Sequence, residues 1–489
     1  MRRTWYAVLL GLTLVATAAR ADEATWREVD LAIAARDYHG AGATLLAILD
    51  DPERSAEHPA AWARMGDLFA ENDLPYAALL AYARAAQRDV EALGPRLDQA
   101  IDLAAQVGDE AILEPSLADL PDSLVPPLRT RAAMLGARHR IRTRDFEGAL
   151  GLLQGVSTSS PWYARVQNLR GIAHSNLGNT GDALAALLTS EAADPGEDPD
   201  FHAMVVLNTG RAYFAADNFL KAIEYFGSVP RESLSWQEAV FERAWGHFRI
   251  EDHAGAYAAL TSLDNPFFSD WYWAEADLLR IYALFMMCKF GDASRGIDAF
   301  IAKYTPIQEQ LQANLGMRPE EAWEDAVAWM TGGTPRLPPA VLARFRWEER
   351  FSDARSAVAE AQREVQVSGK LGTPWSARAV PLLAERRDSL SLEEGQRVLD
   401  RAAEARTELA EYLEGIQLVK LDILQFETDL YTRAAATGQL EFGDRIGRLR
   451  ALRKRKGERS WPFEGEYWAD EIGYYRVEAR SDCPEDQPR

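Results

Sequence analysis

The side chains that do acid–base, nucleophilic or metal chemistry are present in this chain but are not arranged for it. Seven histidines are scattered, and none has a second ligand at metal spacing. No HExxH helix and no G-x-S-x-G elbow occurs. Lys370 follows Gly369, but the upstream glycine of a phosphate loop is missing, as is a Ser or Thr after the lysine. Asp194, Glu197, Asp198 and Asp200 form an acidic loop without the twelve-residue calcium register. Glu320, Glu321, Glu324 and Asp325 are abundant acids, and abundance alone makes no acid–base pair. The expectation is a non-enzyme with no catalytic residue, no metal ligand and no cofactor.

Recognition chemistry is better represented. Residues 265–273, Asn-Pro-Phe-Phe-Ser-Asp-Trp-Tyr-Trp, pack five aromatics into nine positions. Trp271, Tyr272 and Trp273 suit a binding anchor, and packing between repeats is the favoured reading. Arg445 to Arg459 is the densest basic run, with Arg453, Lys454, Arg455 and Lys456 at its centre. It suits an anionic polymer, a membrane surface or the acidic repeat surface of the same chain, and equally a solvated helix end. Trp461, Phe463, Tyr467 and Trp468 follow directly, in a tail too aromatic to read as disordered.

The ends and the charge narrow the partners. Arg2 and Arg3 precede a short apolar run, Ala7 to Ala19, and Ala19-Arg20-Ala21 fits a small-x-small cleavage site. Residues 1–21 therefore read as a secretory signal rather than a membrane anchor, since the run is too short for a comfortable span. No cysteine stands at the cleavage point. The chain carries −21, and loss of the signal removes three arginines and no acid, which leaves −24. That balance disfavours nucleic acid and allows basic protein surfaces as partners. Cys288 sits in an apolar stretch and reads as a small core residue, and Cys483 in a polar tail; a bridge between them is open, since nothing fixes their distance.

The elements that position these residues repeat every 34 to 39 positions. One ruler runs through Val29, Gly66, Gln99 or Ala100, Ala137, Gly171, Gly210, Ala244 and Ile281. Twelve residues on comes Ala41, Ala78, Ala149, Ala183, Ala222, Ala256 or Ala293, with one degenerate copy near 91–118. Four further on stands a bulky residue: Leu45, Tyr82, Leu153, Leu187, Phe226, Leu260 or Ile297. Such a period marks stacked helix–turn–helix units, in which a small residue permits close helix approach and the bulky one fills the gap to the next unit.

Residues of about 25–305 resemble tetratricopeptide repeats (TPRs). Trp62, Met65, Gly66, Phe69, Ala78, Tyr82 and Ala85 match the family pattern, as do Gly171 through Pro195 and Gly210, Tyr213, Ala222 and Phe226. The resemblance implies a right-handed superhelical solenoid whose groove binds protein partners. The stretch from Trp461 to Tyr475 is similar to the C-terminal parts of exported TPR proteins of gliding and predatory Gram-negative bacteria.

Past residue 305 the ruler fails. Gly332, Gly333, Pro335, Pro338 and Pro339 read as part of a linker over 306–337. Two heptad seams follow, Trp347 to Val365 and Val398 to Leu430, with Gly369, Gly372 and Pro374 between them. They predict an antiparallel coiled-coil hairpin over 338–437, with intermolecular pairing as the alternative. The full expectation is an all-α chain: signal 1–21, TPR solenoid 22–305, linker, hairpin, and a basic and aromatic tail over 438–489. Its function reads as a non-catalytic scaffold of a periplasmic or outer-membrane-associated assembly, and the resemblance implies motility, polysaccharide export or outer-membrane biogenesis. The alternative is a binder of peptidoglycan or exopolysaccharide.

Overall fold

Alanine-rich segments with few β-branched runs favour helix, and every regular element among the described residues is helical. The structure is a computed structural model that describes residues 23–268, 271–437, 468 and 479–483. It divides into two units, residues 1–124 with 359–386 and residues 125–358 with 387–489.

The first unit begins with α1 (Glu23–Ala34), α2 (Tyr38–Leu49), α3 (His58–Ala70), α4 (Pro75–Ala86) and α5 (Arg96–Val107). After α5 two 3₁₀ turns, Glu110–Ile112 and Glu114–Leu117, stand where a second helix is expected. Pro115 explains the substitution, because it has no amide to give and its ring would strike the preceding turn of a continued helix. This is the degenerate copy of the sequence.

The second unit pairs α6 (Leu128–Arg142) with α7 (Phe146–Leu152), α8 (Tyr163–Asn176) with α9 (Thr180–Ala193), and α10 (Pro199–Ala215) with α11 (Phe219–Ser228). It continues with α12 (Trp236–Arg249), α13 (His253–Leu260), α14 (Ala274–Met286) and α15 (Phe290–Ala313). The stretch 306–337 holds the end of α15 and all of α16 (Pro319–Met330), and α17 (Pro339–Trp347) follows. Then come α18 (Glu349–Leu371), the short α19 (Pro374–Ala377) and α20 (Ala379–Thr437), of which α18 and α20 contribute residues to both units.

Within each pair the ruler is a contact. A Cβ added at Gly66 would lie 2.4 Å from the Tyr82 ring, at Gly171 2.5 Å from Leu187, and at Gly210 2.6 Å from Phe226. The bulky residue therefore fills the space over the small residue of its own unit, rather than the gap to the next as the sequence suggested. All seven turn alanines and all seven bulky partners are buried.

The turn between paired helices has its own repeat. Arg36, Asp73, Gly108, Arg144, Gly178, Asp217, Glu251 and Cys288 all have φ between 54° and 80°. In every one the next residue's amide donates to the carbonyl five positions back, from Asp37 to Ala32 through Lys289 to Leu284. This is a Schellman closure, which needs one left-handed residue. Only two of the eight are glycine, so the feature is invisible to a search for glycine. The third unit obeys it at Gly108 despite its missing helix.

α18 and α20 run antiparallel. In the second unit Arg350 Nε donates to Glu394 Oε1 at 2.9 Å and Arg397 pairs with Glu348. In the first, Ser376 Oγ donates to the Ser368 carbonyl at 3.1 Å. The hairpin is shorter than the heptad seams predicted. Beyond Arg397, α20 is held by repeats of the second unit: Lys420 Nζ meets Asp298 at 2.8 Å, and Phe426 packs 5.9 Å from both Phe285 and Phe290.

Cys288 lies in the α14–α15 turn rather than inside an apolar helix, and it is bonded to Cys483. Ser481 and Asp482 hold the same place, each donating to the Met287 carbonyl, while Lys289 Nζ reaches Asp482 at 2.8 Å.

Candidate functional site

Helix α4 of the first unit starts without a local cap, since Leu74 has no side-chain acceptor. The orphan amides of Tyr76 and Ala77 donate instead to Glu364 Oε1 and Oε2 at 2.7 and 2.8 Å, from α18. Glu364 is 0% exposed. Burial pushes its carboxyl up to about 7; the two amides oppose that shift, Glu360 adds to it and Arg363 opposes it. One turn on, Asp109 occupies the cap position of the incomplete third unit and is also buried. It accepts from Arg386 Nε and Nη2, both at 2.8 Å, and from the Tyr76 hydroxyl at 2.8 Å. Burial, then the Asp109 charge, push the Tyr76 phenol upward. Trp375 is wedged beside them in an aromatic socket, 6.5 Å from Tyr38 and 6.3 Å from Phe69. A Cβ on Gly42 would come within 2.5 Å of the indole. These residues join residues 359–386 to the first repeats.

In the second unit the aromatic cluster is mostly packing. Trp271, Tyr272 and Trp273 are each half-buried. Trp273 stacks on Trp271 at 6.0 Å and leans on Phe241 at 5.9 Å. Phe268 packs on Trp236 at 6.2 Å, while Phe267 is exposed. Tyr272 lies 6.1 Å from Tyr304, donates to the Ala405 carbonyl at 3.3 Å, and carries the Arg401 guanidinium 5.1 Å over its ring. Burial, then the Glu408 charge, raise the Tyr272 phenol.

A cleft of about 310 Å³ opens beside this cluster, lined by Leu263, Phe268, Trp273, Asp277, Arg280 and Lys303. Asp277 gathers its polar edge, accepting from Tyr304 at 2.7 Å, Arg280 at 2.8 Å and Lys303 at 2.9 Å. The buried Nε1–H of Trp273 has no acceptor. The arrangement suits a small apolar group with a hydrogen-bond acceptor.

The other exposed apolar feature is on α20. Leu418 and Leu421 are each 61% exposed and Leu424 is 52% exposed, whereas Ile416, Val419 and Ile423 on the opposite side are buried. Sequence reading missed the leucines because it followed only the heptad seam through Ile416, Val419 and Ile423. A second apolar spacing of three on the same helix was the available signal.

The acidic loop is structural. Asp198 accepts from the Phe201 amide at 3.0 Å and from Arg165 at 2.6 Å, and these bonds hold its carboxyl below the usual range. Asp194 accepts from the Gly196 amide and meets His202 Nδ1 at 3.0 Å. No group of three or more metal-ligating side chains occurs among the described residues. No helix among them is long and apolar enough to cross a membrane. Residues 1–21, Arg453, Lys454, Arg455, Lys456, Trp461, Phe463 and Tyr467 lie outside the described residues, and Trp468 is exposed.

No protein-family model and no curated protein matches the chain. Among solved structures it is matched to yeast Tom70, with 10% identity over 81% of this chain and 96% of that one, at a TM-score of 0.17. A likeness that weak carries no argument, and the TPR-like character rests on the helix pairs and their turns.

Proposed function

We propose that the protein is a non-catalytic scaffold that binds other proteins in an exported assembly, periplasmic or associated with an outer membrane. The observation that carries this reading is a set of self-similar helix pairs whose regularly spaced residues are spent on packing, together with a helix that turns leucines to solvent. Repeat stacks build extended surfaces rather than reaction centres. An exposed leucine row on an otherwise well-packed unit marks an interaction surface. The Cys288–Cys483 bond supports an oxidising compartment, as the signal-like first residues do. Motility, polysaccharide export and outer-membrane biogenesis are the processes such a scaffold would serve, in that order.

The test is affinity capture of the tagged full chain from crosslinked envelopes. Reproducible co-purification of one or a few envelope proteins is expected. Recovery of the chain in the cytoplasmic fraction, or capture of no protein, would overturn the reading.

A further inference from the structure

We propose that the outward face of α20 is a docking surface for a basic amphipathic helix of a partner protein. The inference deepens the scaffold reading and rests on it. At about 100° per residue, Leu418, Leu421 and Leu424 spread over about 120°, with Glu414 within the same arc, and Ile416, Val419 and Ile423 fall on the far side. The far side is buried in the second unit. Phe426 between Phe285 and Phe290, and Lys420 on Asp298, fix the rotation of the helix. Leu418, Leu421 and Leu424 are therefore held outward.

A surface helix with one apolar stripe needs no second one. Three leucines at a spacing of three, with about 4.5 Å of rise between them, offer the ridge that a partner helix grips with residues at i, i+3 and i+4. The charge of the rim selects the partner. Glu411, Glu414, Asp422 and Asp429 are exposed, and no cation among the described residues pairs with them. The one lysine of this stretch, Lys420, is taken by Asp298. A second copy of the same acidic face would be repelled, whereas a helix with Lys or Arg beside its apolar row is attracted and steered.

The probe is a synthetic helix of about four turns with leucine every third or fourth position and Lys or Arg between, titrated into the full-length oxidised protein by fluorescence anisotropy. A scrambled peptide of the same composition is the control, since a chain at −21 attracts any polycation. The amphipathic peptide is expected to bind at least about tenfold tighter than the scrambled one. Leu418→Gln, Leu421→Gln and Leu424→Gln together are expected to erase that preference. These positions are solvent-exposed, so the fold is kept, and a second variant, E411Q/E414Q/D422Q, should retain the preference while flattening its salt dependence.

Equal affinity for the scrambled peptide overturns the proposal, as does full binding by the triple leucine variant. A dimer that becomes a monomer in that variant assigns the stripe to a second copy and also overturns it. So does tryptic protection of residues 445–456 that disappears in the variant, which assigns the stripe to the chain's own basic run. Envelope capture that recovers the same proteins with the leucine variant sinks this inference and leaves the scaffold reading standing.

Discussion

In the second unit Asp145, Asn218 and Asp252 each accept the amide three residues on, from Gly148, Lys221 and Gly255, within their own turn. Among the described repeat turns of the first unit only Asp37 does so, for Gly40. Leu74 cannot, and Asp109 is diverted to Arg386 and Tyr76. The missing acceptor for α4 comes from Glu364, 288 residues away from Tyr76. The same turn geometry is thus finished locally at Asp37 and at three turns of the second unit, and from a distant helix at α4. A local cap makes a repeat self-contained, whereas a remote cap makes the first repeats conditional on residues 359–386. Asn179 and Lys289 of the second unit lack the side-chain bond and show that a left-handed turn closes without it.

The largest test of this comparison is Arg386→Met. It strands the buried Asp109 carboxylate, so we expect a loss of about 3–5 kcal/mol in urea unfolding. Amide exchange should accelerate over 75–86 and stay unchanged over 253–260; equal acceleration in both would break the comparison. Next comes pH. The native carboxyl of Glu364 titrates near 7, above the ordinary glutamate value, so the folded form holds its proton more tightly than the unfolded form. The contribution of Glu364 to stability is then fully present below about pH 4.5 and is lost as pH rises through 7, by up to about 3 kcal/mol. Glu364→Gln should remove that slope in a pH series of thermal melts, and an unchanged slope would assign it elsewhere.

Gly66→Ala in the first unit and Gly210→Ala in the second should each lose about 1–3 kcal/mol, because the added methyl meets Tyr82 or Phe226. Similar losses are expected, since the two units share packing and differ in capping. The smallest effect is Asp252→Ala, at about 1 kcal/mol, confined by amide exchange to the start of α13. A loss as large as that of Arg386→Met would mean that local and remote caps matter alike.

Much of the repeat was legible. Gly66, Gly171 and Gly210, with Tyr82, Leu187 and Phe226, were identifiable because a fixed spacing of sixteen survives any particular fold. The left-handed turns were not, since Arg36, Asp73, Arg144, Asp217, Glu251 and Cys288 share no side-chain type. The Cys288–Cys483 pair was left open because no spacing rule spans 195 residues. The candidate surface was half visible. Trp271 to Trp273 stood out by composition, but the structure spends them largely on packing, whereas Leu418, Leu421 and Leu424 looked like ordinary members of a long helix.

The sequence by itself determined the helix pairs, their register and the spacing of small and bulky residues, and the structure showed that the two meet within one unit. Those depend on neighbours one or two turns away, which periodicity records. Only the tertiary structure decided which helix caps α4, what Asp109 holds, and which side of α20 faces solvent. Those depend on partners hundreds of residues distant. A buried carboxylate, a buried arginine and an exposed leucine carry no mark of their surroundings until the chain has brought the surroundings to them.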